Sequence, residues 1–260
     1  MIPGDLPVGL HVVSLNPFRV PLAALVEGGT AELVDAALLV FQIRFRHGWI
    51  MVDAAEDSAF VPGSPTFSAA TYASIQRALR DACLIVVTHE HHDHVAGVIR
   101  STYSSVVWQH TVLTRAQVQS LRTAPDDPRV QLDSTAASRF IVIGYDRHVP
   151  IAPGVVLVRA PGHTPGSQMV YVRLASGAEV ILAGDVAWHM SGIATLRQKP
   201  DSSTRDFGGE DRATIAAQLR WLKELDAAGV TVLLSHDQAA AVRSVARGVL
   251  REGFDARAKR

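Results

Sequence analysis

The stretch Thr88-His89-Glu90-His91-His92-Asp93-His94 crowds imidazoles and carboxylates into one short segment, directly behind the apolar run Cys83-Leu84-Ile85-Val86-Val87. Side chains of this kind either decorate a polar turn or supply half of a metal site. A zinc ion takes imidazole nitrogens and carboxylate oxygens, and a catalytic site keeps a position for water or substrate. His89 and His91 are two residues apart, so an extended segment projects both to the same side. After a turn, Asp93 and His94 would face a second position nearby. This grouping alone is too small for a dinuclear site with open positions, so further donors are expected from other parts of the chain.

Three segments offer them. His163 sits in the Gly- and Pro-rich turn Ala160-Pro161-Gly162-His163-Thr164-Pro165-Gly166-Ser167, directly behind Val155-Val156-Leu157-Val158. Asp185 follows Val180-Ile181-Leu182-Ala183-Gly184, and His236 follows Val232-Leu233-Leu234-Ser235. Each is a lone ligand-type residue at the end of a β-like run. Any one of them would pass for a cap or turn residue. Together with the histidine cluster, in one chain, they point to a metal site. Glu90 and His92 alternate with the ligand candidates and are expected to point away, into packing or solvent. His11, His47, His110 and His148 have no motif around them and read as structural.

The elements that must position these residues are short. Apolar and β-branched runs at 49–55, 83–87, 104–110, 139–146, 154–160, 168–174, 178–185 and 230–237 are bounded by Gly, Pro, Asp or Ser, which fits strands better than helices. Helical periodicity appears at 71–82, 114–122, 211–229 and 237–253. In the third of these Ile215, Leu219, Leu222 and Leu225 recur at helical spacing, and Gly229 supplies a stop. Interspersed strands and helices predict a layered α/β arrangement. Residues 56–70 and 187–210 read as long loops, each behind a strand end; loops beyond about 12–15 residues are uncommon unless functional or disordered.

Composition narrows the function classes. The chain has 260 residues, 48% hydrophobic and 19% charged, with a formal charge of zero. That balance gives no electrostatic footprint for nucleic acid or an anionic membrane. Cys83 is the sole cysteine, so a disulfide within the chain and a cysteine-built zinc site are both excluded. The N-terminus lacks a basic leader followed by an apolar core, and no apolar run approaches the roughly 18 residues that span a bilayer. The expectation is a cytoplasmic enzyme built as one domain over 1–260, a monomer or homodimer with a small-molecule substrate.

The order His-x-His-x-Asp-His, then Gly-His-Thr-Pro-Gly, then Gly-Asp, then Ser-His resembles the metallo-β-lactamase superfamily, over residues 50 to 240. The resemblance implies an αββα four-layer sandwich, two mixed β-sheets flanked by helices, with the metals at one edge. It implies that His89, His91 and His163 hold one metal, that Asp93, His94 and His236 hold a second, and that Asp185 bridges the two. Two divalent ions of this kind are expected to be Zn, with Fe or Mn also compatible with nitrogen and oxygen donors. Asp53, at the end of an early strand, matches a family position that supports a ligand histidine from behind.

Two metals about 3.5–4 Å apart can share a hydroxide that attacks a carbonyl carbon. The implied reaction is hydrolysis, with Asp185 and Asp93 as the catalytic carboxylates and Asp93 relaying a proton to the leaving group. Class B β-lactamases lack the bridging Asp and are exported, which separates them from this chain. Glyoxalase II continues into a glutathione-binding helical domain, whereas 24 residues follow His236 here. The closest layout is that of N-acyl-homoserine lactonases, so a lactone or other carboxylic ester is the expected substrate. Thioester hydrolysis, phosphodiester hydrolysis and an iron-dependent dioxygenase are the alternatives. One departure stands out: those lactonases place Tyr three residues after the bridging Asp, and this chain has Trp188. Trp188, His189 and Met190 are expected to wall the substrate pocket.

Overall fold

The computed structural model describes residues 2–205 and 208–255. Among the described residues the strands are β1 (Gly9–Pro21), β2 (Leu33–Arg44), β3 (Trp49–Val52), β4 (Leu84–Val86), β5 (Thr111–Thr114), β6 (Ile141–Ile143), β7 (His148–Ala152), β8 (Val155–Arg159), β9 (Gln168–Arg173), β10 (Glu179–Leu182), β11 (Thr231–Leu233) and β12 (Arg251–Glu252). They form a 7-stranded sheet in the order β12-β1-β2-β3-β4-β5-β6 and a 5-stranded sheet in the order β11-β10-β9-β8-β7. Both sheets mix parallel and antiparallel pairs.

Strand alternation decides which face meets what. In β2, Leu39, Phe41 and Ile43 face the other sheet, packing with Leu157, Val170, Val172 and Leu182. Leu38 and Val40 face the opposite way, onto Ile75, Leu79, Val95 and Leu121 of the outer helices. On the second sheet, Met169, Ile181 and Val232 turn outward onto Ile193, Ile215, Leu219 and Leu222. The result is helix, sheet, sheet, helix: the αββα sandwich.

Parallel neighbours need crossovers, and helices supply them. Helix Ala69–Arg80 joins β3 to β4, His92–Ile99 joins β4 to β5, Arg115–Thr123 joins β5 to β6, and Arg212–Ala227 joins β10 to β11. The carboxyl ends of β3 and β4 therefore point one way, as do those of β8, β10 and β11. Crevices beyond the carboxyl ends of parallel strands are where open α/β sheets hold ligands. The two sheets are stitched there by backbone bonds, Gln168 N–H to Thr88 O at 2.8 Å, Ala37 N–H to His236 O at 3.2 Å and Leu39 N–H to Ser235 O at 3.0 Å.

Three sequence expectations need correction. Residues 104–110, read as a strand, form a helical turn at Ser104–Val107 and a 3-10 turn at Trp108–His110, and β5 begins at Thr111. Tertiary contacts override the β-branched composition: the Trp108 indole donates to Val98 O at 3.0 Å and the Thr111 hydroxyl to Val107 O at 2.7 Å. The last helix stops at Ala246 instead of running to residue 253, because Gly248 takes φ +75° and the chain returns to the sheet as β12. The segment 187–210 is not bare loop. It carries helices Met190–Thr195 and Asp201–Thr204; Asp206 and Phe207 lie outside the described residues. Among the described residues no helix is long and apolar enough to cross a membrane.

Helix His92–Ile99 lies hard against the segment behind β3. A Cβ on Gly97 would stand 2.1 Å from Ala54 O, and Gly97 N–H donates to Ala55 O at 2.8 Å. Gly97→Ala is expected to lower the unfolding free energy by about 3 kcal/mol, the upper part of the range for overpacking. Urea denaturation measures this, and an unchanged midpoint would show that the contact yields freely.

Candidate metal centre

The cluster adopts two backbone states. His89 and His91 lie on the extended segment leaving β4, where His91 has φ −66° and ψ 150° as the residue preceding the helix. Asp93 and His94 fall in the first turn of His92–Ile99, so the second pair is aimed by a helix start rather than by the turn expected from sequence. The remaining candidates arrive on loops behind β8, β10 and β11: His163, Asp185 and His236.

These residues converge. Ligand atoms of His89, His91 and His163 lie within 4.8 Å of one another, as do those of His89, Asp93 and His94, and those of His94, Asp185 and His236. Asp185 reaches both sides: its Oδ2 is 3.1 Å from His236 Nε2 and 3.7 Å from His163 Nε2, and its Oδ1 is 3.5 Å from His94 Nε2. Asp93 Oδ2 is 3.5 Å from His94 Nε2 and 3.4 Å from His236 Nε2.

Four of the imidazoles share one arrangement: Nδ1 is tethered and Nε2 faces inward. His89 Nδ1 is 3.2 Å from the Thr88 hydroxyl, His94 Nδ1 is 2.9 Å from Asp53 Oδ2, His163 Nδ1 is 2.5 Å from Glu210 Oε1, and His236 Nδ1 is 3.2 Å from Ala37 O. A hydrogen bond on one ring nitrogen fixes the tautomer and leaves the other as a lone-pair donor. Nε2 of His89, His94 and His163, and Oδ1 of Asp185, are buried with no hydrogen-bond partner. Buried polar atoms are paired in the great majority of cases, so four unpaired donors facing one point fit a group of cations that the protein itself does not supply.

Charge and burial set the protonation of the donor set. Burial holds His89 well below the ordinary imidazole range, and burial with the neighbouring Lys199 ammonium brings His163 down to about 4. Against the same burial, the carboxylates of Asp93, Asp185 and Asp53 hold His94 above that range. His236 is likewise raised by Asp185 and Asp93. Asp93 and Asp185 are lowered, despite burial, by His94 and His236.

Behind the donors stand Asp53, which the family resemblance marks as a support for a ligand histidine, and other residues whose part nothing in the sequence shows. Asp53 takes φ +62°, and its carboxylate accepts from Thr88 N–H at 2.7 Å, from the Thr88 hydroxyl at 2.9 Å and from His94. Glu90 does point away from the donors, but into a fixed role: it accepts from the Thr164 hydroxyl at 2.8 Å and Gly166 N–H at 3.2 Å, bracing the turn that carries His163. His92 sits between Asp126 and Glu56 at 2.6 and 3.2 Å, with Phe60 stacked on its ring. Lys199 and Glu210 form a buried pair behind His163 and Asp185. In sequence they are one lysine and one glutamate of a polar loop, and nothing local marks them.

A cavity of about 170 Å³ opens onto the donors, walled by Phe18, Leu25, Ala36 and Trp188 with His91, Asp93, Asp185 and His236. Of the three residues expected to wall it, Trp188 does. His189 and Met190 do not: His189 caps helix Met190–Thr195 through Ser191 N–H at 3.1 Å, while Met190 packs into the core beneath Arg212–Ala227. The helix starts at once after Trp188, and that turns both side chains out of the cavity. The Trp188 indole N–H donates to Asp185 Oδ2 at 2.6 Å.

No protein-family model matches the chain, and no curated protein matches it in sequence. Solved structures do match in shape. One is an N-acyl homoserine lactone hydrolase with its product N-hexanoyl-L-homoserine at the catalytic metal centre, at 15% identity, covering 92% of this chain and 96% of that one with a TM-score of 0.67. Another is AidC, a dizinc quorum-quenching lactonase, at 15% identity, 90% of each chain and a TM-score of 0.64. A third is a hydrolase of the β-lactamase superfamily, at 16% identity, 91% and 88% coverage and a TM-score of 0.53. The fold is the αββα sandwich, the metallo-β-lactamase fold. At such identities the shared property is the fold, so the chemistry has to be argued from the residues in place.

Asp53 offers a test of how the centre is held. Asp53→Ala removes the acceptor for three donors in a fully buried setting, and a loss of about 3–5 kcal/mol in unfolding free energy is expected, as for a broken buried pair. Denaturation of the metal-free protein reads this directly. A loss below about 1 kcal/mol, the size of one ordinary hydrogen bond, would show that Thr88 and His94 are held by other means.

Proposed function

We propose that this chain is a dinuclear metal-dependent hydrolase acting on a small lactone or other carboxylic ester. The observation that carries the reading is the set of buried, unpaired Nε2 and Oδ1 atoms around Asp185. In this reading His89, His91 and His163 hold one ion, Asp93, His94 and His236 hold the other, and Asp185 lies between them. Zn is the first choice for such nitrogen and oxygen donors, with Fe and Mn acceptable to the same set. Ions bound there supply Lewis acidity towards a carbonyl and make water a competent nucleophile near neutral pH.

The chain's own residues account for the rest. Asp93 is the partly exposed carboxylate of the centre, 23% accessible against 4% for Asp185, and it faces the cavity. In this reading it passes the proton released by the attacking water on to the departing alkoxide, a transient relay, since His94 and His236 keep its carboxyl ionised. The Trp188 N–H holds Asp185 in orientation. Phe18, Leu25, Ala36 and the Trp188 ring offer an apolar wall to an acyl group, in keeping with small-molecule sites that are mostly apolar with few polar anchors. Among the described residues, no Lys or Arg lines the cavity, so a phosphodiester would find no side-chain counter-charge. The volume favours a short acyl group, being below the roughly 300 Å³ at which drug-sized sites begin.

The test is metal analysis followed by a substrate panel. Purified protein loaded with Zn is expected to retain about two ions per chain, and to hydrolyse short-chain lactones and aryl esters in preference to a thioester, a cephalosporin or bis-p-nitrophenyl phosphate. Asp185→Ala should reduce turnover to the background rate. Turnover of the phosphodiester alone would overturn the ester assignment, and a single Fe with oxygen uptake would overturn hydrolysis.

A further inference from the structure

Lys199 and Glu210 stand apart from every other ion pair of a Lys or Arg among the described residues. Their side chains are 0% and 1% exposed and 2.6 Å apart, whereas the other Lys and Arg pairs are at least partly open to solvent on one side. Glu210 Oε1 accepts from both Lys199 Nζ and His163 Nδ1, the latter at 2.5 Å. The Lys199 ammonium also donates to the backbone carbonyl of Asp185 and lies 4.8 Å from the centroid of the Trp188 ring. Its own backbone carbonyl is held by the Arg212 guanidinium at 3.1 Å. One ion pair thus touches a histidine from one sheet-end loop, the aspartate from another, and the indole that holds that aspartate.

Stability alone is a poor reason for such a pair. Desolvating two charges costs about as much as their attraction returns, and apolar residues of similar volume often do as well or better. The geometry gives another role. Glu210 has to accept the proton on His163 Nδ1, which leaves Nε2 as a bare lone pair, and Nε2 is the atom found buried and unpartnered. Lys199 offsets the Glu210 charge and, through the Asp185 carbonyl, fixes the backbone from which the central carboxylate projects.

Resting on the metal-centre reading above, we infer that Lys199 and Glu210 are positioning residues for the centre: Glu210 sets the tautomer and ring orientation of His163, and Lys199 couples that setting to Asp185 and Trp188. The device makes Lys199 and Glu210 part of the metal site, although among the described residues between Trp188 and Glu210 none lines the cavity that opens onto the donors. Groups placed behind a metal ligand in this way typically change metal affinity by roughly 10- to 100-fold when removed.

The test reads zinc affinity without any substrate, by competition with a chromophoric chelator, alongside urea denaturation. Glu210→Leu is expected to weaken binding of one of two zinc ions by roughly 10- to 100-fold, and Glu210→Gln, which keeps an acceptor for Nδ1–H, to recover most of it. The double variant Lys199→Met with Glu210→Leu separates positioning from structure. Its stability is expected near that of the parent, because an apolar pair fills the site, while zinc binding stays weakened. A double variant that folds and binds both ions with parent affinity overturns the inference. If the double variant does not fold, Glu210→Asp decides, since it keeps the charge but draws the carboxylate back from Nδ1: weakened zinc binding is expected, and unchanged binding overturns the inference. A parent chain that binds no zinc would sink the metal-centre reading and this inference with it. A parent that binds two ions, with variants that do the same equally well, would sink this inference alone.

Discussion

The constraint on which the rest of the structure depends is that several lone pairs must be kept buried, close together and free of protein partners. An unsatisfied buried polar atom costs about 1–3 kcal/mol, and Nε2 of His89, His94 and His163 with Oδ1 of Asp185 are all in that state. Left to itself each ring would rotate towards a neighbour. What prevents this is that the far nitrogen of each ring is already bonded, to Thr88, Asp53, Glu210 or Ala37. The tethers are of different chemical kinds and come from different elements, yet each leaves the same atom facing the centre. The fold can be understood as the apparatus that delivers these tethers.

Delivery depends on strand direction. Parallel pairing of β3 with β4 and of β10 with β11 puts their carboxyl ends on one edge, and the crossovers this requires are the helices that cover the outer faces. The sheets meet at the same edge through Ala37 with His236 and Thr88 with Gln168. A tether such as the Ala37 carbonyl can therefore belong to one sheet and act on a histidine of the other. Close approach is bought with small residues at particular points: Gly97 lets the helix of Asp93 and His94 rest on the Ala54 carbonyl, and Gly184 at φ +59° turns Asp185 inward beside Thr88.

How much of this was legible in the sequence follows from how local each feature is. The histidine cluster, Gly162-His163-Thr164, Gly184-Asp185 and Ser235-His236 are local patterns behind apolar runs, and the structure brings all of them to one edge. The alternation in β2 is also local, and it carries the two-sided burial that layers the fold. The run at 104–110 misled because β-branched composition reports a preference that the Trp108 and Thr111 bonds override. His189 and Met190 were out of reach for a related reason: proximity to Asp185 in sequence is not proximity to the cavity once a helix begins between them. Lys199 and Glu210 were the least legible of all. A buried ion pair is defined by what surrounds it, and a lysine between Gln198 and Pro200 carries no sign of its burial.

Trp188 shows how position and chemistry separate. It occupies the place three residues beyond Asp185 and its ring walls the cavity, so by location it belongs to the substrate side. By bonding it belongs to the centre: an indole has a single donor, and that donor is engaged by Asp185 Oδ2. A side chain so committed can shape the cavity but has no hydrogen left for a substrate oxygen. Asp93 stands differently: like Asp185 it lines the cavity and lies close to His94 and His236, but its side chain is 23% exposed against 4%. Two carboxylates of the same acidity class are thereby set apart. Asp185 is bonded by the indole on one side and held through its backbone by Lys199 on the other, while Asp93 at the helix start is the more exposed of the two. Environment, not residue type, distinguishes them.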